Sequence, residues 1–171
     1  MSLTAFSSLS DIAAFAARMP AADKAALLAF HNDINEVQRQ FTAATASLND
    51  VDNKLKHIRK AIEAAPAPSA ELLANVRNLE DKLYELRKLF FGDGAAATLD
   101  KTRKEPISDR IFGTTYEIFN SSSMPTQTHR EMLRLATLGL KQVLPNVKAL
   151  AETDLKALEQ KLEALGAPYT P

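Results

Sequence analysis

The chain has 171 residues, the size of about one domain, with 21 Lys+Arg against 21 Asp+Glu and therefore no formal net charge. That balance excludes a nucleic-acid or anionic-membrane binder driven by bulk charge, and the absence of Cys excludes disulfide frameworks, thiolate metal sites and cysteine nucleophiles. With 46% apolar residues, five glycines, no Trp and heavy use of Ala and Leu, the composition favours helices over strands.

The first twenty residues, MSLTAFSSLSDIAAFAARMP, contain no basic leader followed by a long apolar stretch, and no later segment is an unbroken apolar run of membrane-spanning length. The sequence therefore reads as having neither a signal peptide nor a membrane span. The longest periodic signal runs over 21–64. Leu27, Phe30, Ile34, Val37, Phe41, Ala44, Leu48, Val51, Leu55, Ile58 and Ile62 follow one another in steps of three and four, a heptad seam on one helix about 60 Å long. The prolines of APAPSA end it, since each removes a backbone donor and restricts the residue before it.

Ser69 is placed to cap a second helix over 70–91, with Glu71 in its first turn and a stripe of Leu72, Val76, Leu79, Leu83, Leu86 and Phe90. Gly92 closes it. Residues 92–107 carry no periodicity and read as a crossover loop. A third helix is expected over 108–121, capped by Ser108, with Ile107 stapled onto Phe112. A fourth is expected over 126–165, where Thr128 and Glu131 have the spacing of a capping box. Its stripe takes a five-residue step from Leu150 to Leu155 close after Pro145, which breaks the heptad and predicts a bend. The fold class that follows is all-α: one domain over 1–171, an elongated, antiparallel, coiled-coil-like four-helix bundle made of two helical hairpins.

Few residues carry chemistry. His31 and His57 stand 26 residues apart on one helix, roughly 39 Å, and cannot share a metal. His129 falls in the first turn of the fourth helix, where capping or packing suits it better than base catalysis. No metal, cofactor or catalytic residue is expected. The basic run KLKHIRK (54–60) interleaves cations with seam residues, so it forms a solvated face. Each of the first two helices also balances its charges, six of each sign and then four of each, and no nucleic-acid partner is expected.

The C-terminal half resembles the C-terminal helical region of bacterial sortilin-type β-propeller proteins, the glycosyl-hydrolase-like BNR/Asp-box repeat group. The resemblance rests on KLFFGD (88–93), EPISDRIFGTTYEIFNSSSMPTQTH (105–129), LPNVKAL (144–150) and DLKALEQKLEALGAPYTP (154–171), with Pro125, Thr126, Thr128 and His129 and the run Gly166, Ala167, Pro168, Tyr169, Thr170 and Pro171 as matching points. In that group the helical region follows a large propeller, and no catalytic role attaches to these positions. This sequence has no Asp-box, no Trp and no strand periodicity, so any hydrolase activity of such proteins would lie in a propeller this sequence does not contain.

What the resemblance implies is a non-enzymatic interaction or assembly module whose partner is its own propeller or a second copy. The candidate interaction or packing surface comprises Phe30, Ile34, Val37, Phe112, Tyr116, Phe119 and His129. The alternative is a small-ligand or lipid-binding bundle with a gap lined by Phe112, Tyr116, Phe119 and Met132. The second helix is too short to cover Phe30, Ile34 and Val37, so these three are expected to pack on the third and fourth helices within one chain.

Overall fold

A computed structural model describes residues 20–65, 68–93, 105–119 and 124–164, the side chain of Phe119 excepted. Every regular element among these residues is helical, giving an all-α protein of four helices. They are α1 (Ala21–Glu63), α2 (Ala70–Phe91), α3 (Ile107–Phe119) and a fourth that runs as α4 (Gln127–Ala149), a π turn (Leu150–Asp154) and α5 (Leu155–Ala164). The heptad seam of α1 is buried from Phe30 to Ile62 without a break, none of its ten residues more than 6% exposed. Burial of each large side chain contributes about 1.5–3 kcal/mol, so this stripe is the main reason α1 persists at its length. The loop reading of 94–104, the stop at Gly166 and Pro168, and the match over 166–171 fall outside the described residues.

Local capping follows the sequence at α2 and departs from it at α3 and α4. Ser69 accepts a hydrogen bond from the Leu72 N–H at 3.3 Å, and Gly92 takes φ 83°, its N–H bonding to the Lys88 carbonyl. Ser108 is not a cap. The helix already starts at Ile107, Ser108 is buried, and its hydroxyl donates to Asp109 at 3.0 Å. Ile107 packs where a Cβ on Gly139 would lie, 3.1 Å from its Cγ1, while Phe112 is 56% exposed. At α4 the cap is Thr126 rather than Thr128, as the next section describes.

The chain divides into two compact units, with boundaries after Gln40 inside α1, after Pro106 and after Leu140 inside α4. Among the described residues, one unit is built from the first half of α1, α3 and the first half of α4. Its core holds Phe30, Ile34, Val37, Ile111, Ile118, Leu133, Ala136 and Leu140. Ile107 lies beside Gly139 and Glu117 beside His129, so residue numbers rise along α3 as they fall along α4. Gln38 Nε2 donates to Thr115 Oγ1 at 3.0 Å, tying α1 to α3.

The other unit contains the second half of α1, α2, the end of α4, the π turn and α5. Arg59 pairs with Glu80, Arg87 donates to Asn49 at 2.8 Å and to Asp52 at 3.2 Å, and the Phe41 and Phe90 rings lie 5.4 Å apart. Numbers again rise on α1 as they fall on α2. On the opposite flank Lys82 reaches Asp154 at 2.7 Å and Lys161 approaches Glu71 at 3.8 Å. Phe41 marks the far end of α2's reach, as a helix of about 33 Å starting from the 65–70 turn requires.

Candidate interaction surface

Phe30, Ile34 and Val37 are core residues, 4%, 0% and 4% exposed. The sequence-based surface splits at this point. Phe112 and Tyr116, on α3, face solvent, while Met132 is half-buried. The side chain of Phe119, the remaining residue of the expected gap, lies outside the described residues. Helix α3 has only 13 residues, and its core face is Ile107, Ile111, Thr114 and Ile118, which turns Phe112 and Tyr116 outward.

His129 is a capping residue joined to a second helix. Its backbone N–H bonds to Thr126 Oγ1 at 3.3 Å, and its Nδ1 accepts the Thr126 N–H at 3.2 Å, the reciprocal pair of a capping box with His at the third helical position. Because Nδ1 accepts, the proton sits on Nε2, which donates to Glu117 Oε2 on α3 at 2.7 Å. One ring thus satisfies a helix start and links α3 to α4. In the sequence the signal is Thr126 and His129, three apart; Glu131, three after Thr128, binds Arg134 instead. Among the described residues no three His, Cys, Asp or Glu side chains are grouped to hold a metal. None of the described helices is long and apolar enough to cross a membrane.

Each unit carries a groove of its own. In the α1–α4 unit a volume of about 460 Å³ is lined by Phe30, Val37, Leu133 and Leu138 with Asp33, Glu36, Arg130 and Arg134 around them. Its charges are of both signs and partly spent: Arg130 lies over the Phe30 ring at 5.5 Å, and Glu36 is held below its ordinary value by hydrogen bonds from Arg39 and then Gln40.

In the α2–π-turn unit a groove of about 550 Å³ has Leu86, Leu89, Ala149 and Leu150 as its apolar lining and Asp81, Lys82, Glu85, Asn146 and Asp154 around them. The π turn makes this wall. In an unbroken α-helix the residue four after Leu150 would be Asp154, facing the core; the extra residue puts Leu155 there and leaves Asp154 at the groove to meet Lys82. Leu89 is 50% exposed on the groove, and Tyr84 and Phe91, on the same helix, are also exposed. No family model matches this chain, and neither a curated protein nor a solved structure matches it.

Proposed function

We propose that this chain is a non-enzymatic helical interaction and assembly module, the role implied by its resemblance to the tails of sortilin-type propeller proteins. The observation that carries the reading is Leu89: a large apolar side chain half in water, at the edge of an apolar groove, on a helix whose neighbouring residues Leu86 and Phe90 are buried in the core. A rigid helix that keeps such a surface solvated supplies a preformed docking face, because covering it releases the hydrophobic free energy with little ordering cost. The partner class is a helix from another polypeptide, whether a second copy or a propeller-bearing protein.

The test is a fluorescence-anisotropy titration with a labelled amphipathic helix of Leu and Gln, run beside sedimentation of the chain alone over a wide concentration range. Saturable peptide binding or reversible self-association, removed in either case by Leu89→Asp with unchanged helicity, is the expected result. A chain that binds no such peptide and sediments as a monomer throughout contradicts the reading. The small-molecule alternative is favoured by one observation only, the volume and apolar lining of the same groove. A saturating apolar ligand that protects the chain thermally, with no peptide binding, would select it.

A further inference from the structure

We infer that the groove between α2 and the π turn takes a basic amphipathic helix, with Lys or Arg flanking its apolar stripe; this deepens the interaction reading above and rests on it. The length comes first. Its lining spans residues 81–89 on α2 and 146–154 on the opposing helix, about 12 Å of each, which matches two turns of a helix laid alongside. A volume of about 550 Å³ holds several aliphatic side chains, the anchors that an i, i+3/i+4, i+7 stripe provides.

Charge then selects the flank. Four charged residues line the groove: Asp81, Glu85 and Asp154 against the single cation Lys82. Lys82 is engaged by Asp154 at 2.7 Å, so that pair cancels; Glu85 is shared with Lys88, which lies outside the lining, and Asp81 is the carboxylate left over on that lip. Asp81 and Glu85 stand four apart on α2, where like charges repel and weaken the helix. Among the described residues Glu85 is met only by Lys88, at 3.2 Å, and Asp81 by no cation. An incoming Lys or Arg relieves the repulsion, while an incoming carboxylate adds to it. Leu89 and Leu86 would receive the apolar stripe, and Asp81 and Glu85 the cations beside it.

The experiment compares three labelled peptides of about 15 residues with the same Leu stripe, flanked by Lys, Gln or Glu, titrated against the full chain by anisotropy. The Lys peptide is expected to bind about tenfold more tightly than the Gln peptide, with the Glu peptide weakest, and added salt should shrink the difference. The double variant Asp81→Asn, Glu85→Gln should erase that preference while the Gln peptide still binds. Glu131→Gln, a carboxylate change in the other unit, should leave it intact and so exclude attraction by the chain at large. Equal binding of all three peptides, or a preference that survives the double variant, overturns the basic-helix assignment and spares the interaction reading. Failure of every peptide overturns both the assignment and the peptide-docking basis of that reading.

Discussion

Leu150 and Leu155 are five residues apart, each 2% exposed, and the Leu155 N–H bonds to the Leu150 carbonyl. The odd step in the apolar stripe is therefore absorbed by one wide turn of backbone, and both leucines keep the core face. If so, the register stores one surplus residue between them. Deleting Thr153 should restore a four-residue step, preserve helicity and change unfolding free energy by no more than about 1 kcal/mol. Deleting Gln142 instead turns every later core position by about 100° and should cost several kcal/mol, read as a lower urea midpoint.

His129 offers a second check. His129→Ala removes one partner of the Thr126 N–H and the link to Glu117 together, and should lower stability by about 1–2 kcal/mol in chemical denaturation. Gln at the third helical position can return a bond to the cap N–H, so His129→Gln should recover part of the loss. In a double-mutant cycle with Thr126→Ala the two losses should be clearly non-additive.

The α3 and α4 glycines separate propensity from packing. A Cβ at Gly113 meets nothing within 4 Å, so Gly113→Ala should gain about 0.5–1 kcal/mol from helix propensity alone. At Gly139 the new carbon would stand 3.1 Å from Ile107 Cγ1, a side chain that is itself buried, and Gly139→Ala should gain less or lose. Paired thermal melts give the order.

Asp52 supplies a pH dependence. Burial pushes its carboxyl up, but the Lys56 hydrogen bond and the Arg87 and Lys56 charges outweigh it, and the net direction is below the ordinary value of 3.8. A carboxyl held lower in the folded state stabilises fully above its unfolded value and loses that contribution as pH falls through the folded one. Asp52→Asn should cost about 0.5–1 kcal/mol at neutral pH, and the gap from the parent should close as acid is added below pH 3.8. Urea midpoints against pH measure it.

Much of this was legible because it is local or periodic. The α1 seam, the Ser69 cap and the Gly92 stop are written in spacing and residue type, and the structure has all three. The cap at α4 is hidden from local pattern because its third-position partner is a histidine instead of the usual Glu or Gln, and because Glu117, which holds that ring, comes from another helix. On α3 the run of apolar residues is too dense for periodicity to say which are outward; Phe112 and Tyr116 face water because Ile111, Thr114 and Ile118 occupy the core side. The groove depends on Leu89 and Leu150, from distant parts of the chain, lining the same cleft, which no local pattern encodes.

Hydrogen exchange on the chain alone and saturated with the Lys-flanked peptide tests the docking account most directly. Amide exchange should slow on residues 81–91 and 146–154 and stay unchanged on α3, with the footprint lost in Leu89→Asp. Protection centred on α3, or no protection at saturation, would contradict the account.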